Sequence, residues 1–177
     1  HGAYEDIPFI HREHSLIQDA AARGIPMLGI CFGSQILASA LCGRDQVFRR
    51  HDCEIGYKDL LVTDAARDDA IAGALLQHVH MFVWHNDEVR GDHPDMTILA
   101  HSDICPNHIW RYRDTPAWGI QGHPEITAAQ APVWFNQNRE RMHKDGADVD
   151  VLIYSADESA DAKTMLTRFA DVVKTRS

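Results

Sequence analysis

Long hydrophobic runs are missing from this chain. No stretch approaches the roughly 18 to 20 apolar residues that a membrane span requires, and no basic segment leads into an apolar signal core at the N-terminus. A soluble protein without membrane partners is expected. Basic charge is short as well: Lys and Arg number 17 against 26 Asp and Glu, giving a formal charge of -9 and a pI near 5.7. Binding to a phosphate backbone depends on clustered cations, so nucleic acid is not an expected partner. The four cysteines, Cys31, Cys42, Cys53 and Cys105, form no CxxC pair and no disulfide or zinc-type spacing. A reducing, cytoplasmic setting fits that usage. The twelve histidines are scattered rather than grouped at ligand spacing, so neither a metal site nor another cofactor is expected. Internal repeats and low-complexity linkers are also lacking.

What is present is an ordinary globular composition, 45% hydrophobic and 24% charged, over 177 residues. That length suits one domain with a substantial core. Residues Glu13 to Arg23 carry apolar and small residues at helical spacing, with Gly24 placed to end the helix. The segment Ile25 to Ile30 is short, apolar and bounded by Pro26 and Gly29, which suits a buried parallel strand. Residues Gly33 to Leu41 turn helical again. Strands are expected at 54–63 and 78–84, with a helix at 65–76 between them, then short strands at 97–101, 108–113 and 117–121. Helices are expected at about 127–143 and 159–174. The short apolar stretch Val149 to Tyr154 receives no assignment. This alternation predicts an α/β fold with an open, doubly wound, mostly parallel sheet of flavodoxin-like type and a small antiparallel edge.

Two segments carry chemistry. In GICFGSQ, residues 29–35, Cys31 lies in the pattern Gly-x-Cys-x-Gly where a strand hands over to a helix. A nucleophile on such a sharp turn sits on strained backbone, and small residues two before and two after it relieve crowding. The helix N-terminus presents unpaired N–H groups that stabilise negative charge on sulfur. The N–H of Phe32 points to the same place and is a candidate oxyanion donor. The other three cysteines have no such flank and read as packing residues.

The second segment is WGIQGHPE, residues 118–125. Pro124 biases His123 toward extended geometry, and in an extended chain residues i and i+2 project to one side, so His123 and Glu125 can meet. Glu125 would take one imidazole nitrogen and leave the other for Cys31. The site would then lie beyond the carboxyl ends of the strands.

With these residues in view, the sequence resembles the class I (triad) glutamine amidotransferases. GIPMLGICFGSQILA is similar to the family's nucleophile motif and WGIQGHPE to its His-x-Glu motif. VWHNDEV, residues 83–89, resembles the block with a Ser-His-Gly-Asp-like stretch in glutaminases of the GMP-synthase type, and EIGY with GIQGHPE looks most like the stand-alone members. The resemblance implies Cys31 as nucleophile, His123 as base and acid, Glu125 as orienter, and Gln35, Trp84, His85, Asn86 and Asp87 as contacts to substrate. Asn86 and Trp84 depart from the family's usual residues, which implies a reshaped pocket. The family layout also places a first strand and a Gly-Gly-Pro oxyanion loop before His1, so about forty to fifty residues of N-terminal strand and loop are expected to precede this sequence, judged by ordinary strand and loop lengths.

The implied reaction is hydrolysis of glutamine's side-chain amide through a γ-glutamyl thioester, with ammonia passed to a separate synthase. A stand-alone hydrolase of γ-glutamyl peptides or conjugates is the alternative within that chemistry. A non-catalytic regulatory module on the same fold and a cysteine peptidase of related architecture are alternatives from other classes.

Overall fold

The computed structural model describes residues 1–176. It contains six helices and six strands: α1 (Pro8–Ala22), β1 (Met27–Ile30), α2 (Phe32–Cys42), β2 (Val47–Val62), β3 (His78–Val89), β4 (Met96–His101), β5 (Ile109–Tyr112), β6 (Ala117–Ile120), α3 (Ala131–Gln137), α4 (Arg139–Lys144), α5 (Val149–Tyr154) and α6 (Ala160–Arg176). All six strands form one sheet in the order β1-β6-β5-β4-β2-β3.

The α/β architecture is as the sequence suggests, but the balance of strand directions is not. Among the described strands β1 and β6 pair in parallel, and the other neighbouring pairs are antiparallel. The antiparallel part is therefore most of this sheet rather than a small edge. Its largest piece is the β2–β3 ribbon, whose register shifts between Arg49 and Glu54. A bulge there lets the strand bend and continue.

Helices cover both faces. α1 and α2 bury Ile10, Ile17 and Leu37 with Val47 and Trp110 on one side, while α6 sets Ala162 and Met165 against Leu60, Met81 and Ile120 on the other. α3 to α5 close a third cluster over Phe82 and Trp84 through Phe135, Met142 and Leu152. α1 and α6 bury one apolar stripe each, whereas α2 is buried all round, from Ser34 through Ala40. α1 begins five residues earlier than its periodicity suggests, with Pro8 in its first turn, and Gly24 at φ +65 follows its end.

Three other expectations change. Residues 65–76 are not a helix: a single 3-10 turn at Asp64–Ala66 is followed by turns. Asp69 explains this, since its buried carboxylate accepts from the N–H groups of Ile71 and Ala72 at 2.9 Å each and from Arg111 and Trp118 at 3.1 and 3.2 Å. A side chain tied to its own backbone and to two strands overrides helical propensity. The helix expected at 127–143 is two, α3 and α4, divided at Asn138, whose φ of -106° and ψ of 9° leave the helical region. The unassigned stretch Val149–Tyr154 is helical, capped by Asp148, whose side chain accepts from Asp150 and Val151 N–H groups.

Candidate active site

β1 and β6 are level at their ends, with Ile30 opposite Ile120. Cys31 and Gln121 are the next residues of each strand, so both emerge at the carboxyl end of the parallel pair. The Cys31 N–H donates to the Ile120 carbonyl at 2.7 Å, which locks the turn to β6. Cys31 then adopts φ 51° and ψ -106° before α2 starts. A non-glycine residue in this region is strained, and the surrounding strand and helix must hold it there.

Only one of the flanking glycines answers to crowding. A Cβ on Gly29 would run into the backbone carbonyl of Gly33, whereas a Cβ on Gly33 would meet nothing within 4 Å. Gly29 is therefore required by close approach, and Gly33 has open space around it. Phe32 is the first residue of α2, where the backbone N–H has no intrahelical acceptor.

His123 comes to Cys31 from β6. Its N–H donates to the Phe82 carbonyl at 2.8 Å, and its Nδ1 lies 2.7 Å from Glu125 Oε1. With Nδ1 occupied, Nε2 is the ring nitrogen left to serve Cys31. Burial of the ring disfavours its charged form, but the hydrogen bonds to Cys31 and Glu125 outweigh burial and raise the His123 pKa to about 9. Phe82 and Trp134 flank the imidazole at centroid distances of 6.1 and 6.0 Å. A hollow of about 730 Å³ opens beside it, lined by His123, Glu125, Ile126, Val133 and Trp134.

The other residues expected near substrate divide by strand face. Trp84 and Asn86, on one face of β3, both donate to Asp145 Oδ2, at 2.7 and 3.5 Å, and the Trp84 carbonyl lies 3.8 Å from Cys31 Sγ. His85 and Asp87 project to the other face. His85 Nε2 lies 2.9 Å from Glu54, and Asp87 pairs with Arg49 at 3.2 Å. Gln35 is buried; its Nε2 donates to the Asp87 carbonyl at 2.8 Å and to Gln121 Oε1 at 3.3 Å. Gln121 is a neighbour of the thiol that the sequence motifs do not single out, and its Nε2 donates to Cys31 Sγ at 3.7 Å. Its place in the strand leading to His123 was the available signal.

A second cluster also escapes the motifs. Glu54, His85, Cys105 and His108 are buried together with ligand atoms within 4.8 Å of one another, so the histidines scattered along the chain do not all stay apart in the fold. Burial works against the Glu54 carboxylate, yet hydrogen bonds from His108 and His85 hold it well below the usual carboxylate range. Burial lowers the His108 ring and pushes the Cys105 thiol up. It also pushes Cys42 up to about 12 and Cys53 up to about 11, as suits packing residues.

A thiol on a strained strand-to-helix turn, with a carboxylate-held imidazole from the neighbouring strand, is an arrangement suited to a cysteine nucleophile on an α/β fold. The sequence model of the family "Glutamine amidotransferase class-I" matches residues 3–139. This chain belongs to that family. It is 34% identical over 102 residues to the glutamine-hydrolysing A subunit of GMP synthase from Halobacterium salinarum, covering 58% of this chain and 54% of that protein. The corresponding protein of Pyrococcus furiosus is 32% identical over 102 residues, covering 58% and 52%. The chain thus spans about half the length of these curated relatives. Among solved structures, a glutamine amidotransferase from Thermotoga maritima superposes with a TM-score of 0.82 at 27% identity, over 98% of this chain and 74% of that one. One from Methylobacillus flagellatus shares the fold, with a TM-score of 0.76 at 23% identity over 97% and 72%.

Proposed function

We propose that this domain hydrolyses the side-chain amide of glutamine with Cys31 as nucleophile, His123 as acid and base, and Glu125 as orienter. The observation that carries the reading is the strained turn that sets Cys31 at the carboxyl end of β1, with His123 and Glu125, 2.7 Å apart, at the carboxyl end of the neighbouring β6. In the first step the Cys31 sulfur attacks the amide carbon and negative charge gathers on the carbonyl oxygen, where the Phe32 N–H stabilises it. The C–N bond then breaks, the nitrogen takes a proton from His123, and ammonia leaves behind a γ-glutamyl thioester. Water gives its proton to His123 and attacks the thioester, and the C–S bond breaks to release glutamate. Glu125 holds one ring tautomer throughout.

The Halobacterium and Pyrococcus relatives are named as glutamine-hydrolysing subunits of a GMP synthase. We infer from them that the ammonia serves a synthase on a separate polypeptide. The residues expected to meet substrate serve this reading in different ways. Trp84 and Asn86 line the nucleophile's side of β3, while Gln35, His85 and Asp87 act from beneath by holding Gln121 and the backbone. Four unpaired thiols suit a reducing compartment.

The hollow beside His123 favours a second reading, because about 730 Å³ of partly apolar space exceeds what a leaving ammonia requires. A γ-glutamyl conjugate with a larger amine would place that amine there. The test is glutamate release from glutamine and from a panel of γ-glutamyl amides, with and without a synthase partner. Turnover of glutamine that rises on adding the synthase supports the first reading, and full activity of the isolated chain on bulky amides supports the second. Undiminished turnover by Cys31→Ala contradicts both.

A further inference from the structure

We propose that Glu54, His85, Cys105 and His108 form a buried binding site for one divalent transition-metal ion of the zinc class. The four ligand atoms, one carboxylate oxygen, two imidazole nitrogens and one sulfur, lie within 4.8 Å of one another, and all four residues are buried. A tetrahedral ion with bonds of about 2.0 to 2.3 Å sets its ligands roughly 3.3 to 3.8 Å apart. Here Glu54 Oε2 stands 2.9 Å from His85 Nε2 and 3.3 Å from His108 Nε2, so loading requires shifts of ångström size or less at this end. The ligands come from three segments that the sheet already fixes. Glu54 and His85 are register partners on β2 and β3, and Cys105 and His108 stand three residues apart in the loop from β4 to β5. That Cys-x-x-His spacing is a short bite typical of metal-binding loops.

The hydrogen-bond valence of His85 points to a cation. Its Nδ1 lies 3.1 Å from the Asp87 carbonyl and its Nε2 lies 2.9 Å from the Glu54 carboxylate, and both of these partners only accept. A neutral imidazole has a single N–H. One contact therefore sets lone pair against lone pair unless a second proton or a metal ion lies on Nε2. A ring that gives Nδ1–H to a backbone carbonyl and turns Nε2 inward is oriented as metal-binding histidines are. Charge is also matched, since a dication balances the Glu54 carboxylate and a Cys105 thiolate. The nearby Arg50 and Glu88 neutralise each other as a hydrogen-bonded pair. Ser102 holds the loop closed, donating from Oγ to Glu54 Oε1 at 3.3 Å and accepting the Cys105 N–H at 3.1 Å. A hollow of about 400 Å³ lined by Glu54, Ser102 and Ile104 gives an ion a route in. Binding releases the Cys105 thiol proton and any Nε2 proton to solvent, so uptake weakens as pH falls.

The test uses the whole chain, stripped with a chelator, dialysed and titrated with Co(II). The expected result is one equivalent bound, with the visible bands of a tetrahedral ion and a thiolate-to-cobalt charge-transfer band, all displaced by Zn(II). Cys105→Ser should remove the charge-transfer band, and His108→Ala should weaken binding at least tenfold, in variants that keep the wild-type far-ultraviolet circular dichroism. Should either variant fail to fold, the wild-type spectrum decides alone. No spectrum from folded wild type, or binding left unchanged by both substitutions, overturns the site. The glutaminase reading is scored separately by Cys31→Ala turnover.

Discussion

Cysteine, histidine and glutamate meet twice in this molecule, at Cys31, His123 and Glu125 and at Cys105, His85, His108 and Glu54. The side chains of His123 and Glu125 keep 14% and 43% of their exposure, whereas those of His85 and Glu54 keep 1% each. Cys31 stands on strained backbone at the head of a helix, and Cys105 is buried in a loop where burial raises its thiol pKa. The same three residue types thus give a partly exposed group in one place and a buried polar cluster in the other. Access and backbone placement, rather than composition, distinguish the two clusters.

Substitutions can break that contrast. The largest effect is expected at Cys31→Ala, which should lower glutamate release at least about 10³-fold while the melting temperature stays near wild type, measured by a coupled glutamate assay and a thermal melt. Glu54→Ala should do the reverse in kind. Removing the carboxylate strands two buried rings and should cost about 3 to 5 kcal/mol of stability, read from the denaturant midpoint. Next comes Gly29→Ala, whose new methyl must push back the Gly33 backbone, at about 1 to 3 kcal/mol by the same measurement.

A pH experiment sharpens the contrast further. His123 is raised above its ordinary value of about 6.5 by its partners. Its contribution to stability is therefore whole below about 6.5 and is lost as pH rises through about 9. Imidazole NMR should follow that titration, and Cys31→Ala should move its midpoint downward. The smallest effect belongs to Gly33→Ala, which should change stability by no more than about 0.5 kcal/mol, because the added methyl meets open space.

The turn at Cys31 and the pairing of His123 with Glu125 were legible in the sequence because each is a local device. A strand-to-helix turn places Cys31. The His-Pro-Glu segment is not the extended chain its proline suggests: Pro124 and Glu125 form a turn closed by the Ile126 N–H on the His123 carbonyl at 3.3 Å, and that turn brings the Glu125 carboxylate back to the ring. Most strands were legible too, from β-branched and aromatic density. Their directions were not, since the β2–β3 ribbon depends on cross-strand pairing that leaves no mark in either strand alone. The stretch 65–76 has helical composition, and what unmakes the helix is the tertiary grip on Asp69 by Arg111 and Trp118. Asp148, one residue before the apolar stretch, is the sequence signal for α5: its side chain caps the helix on the Asp150 and Val151 N–H groups. The buried cluster could not be seen, because Glu54, His85 and Cys105 lie 20 or more residues apart along the chain and only the sheet unites them.

Labelling with a glutamine-mimicking alkylator, followed by peptide mass mapping, tests the central claim most directly. The account predicts one adduct on the peptide carrying Cys31, suppressed by glutamine and absent in His123→Ala, with Cys42, Cys53 and Cys105 unmodified. An unlabelled Cys31 in folded protein, or equal labelling of all four thiols, would contradict it.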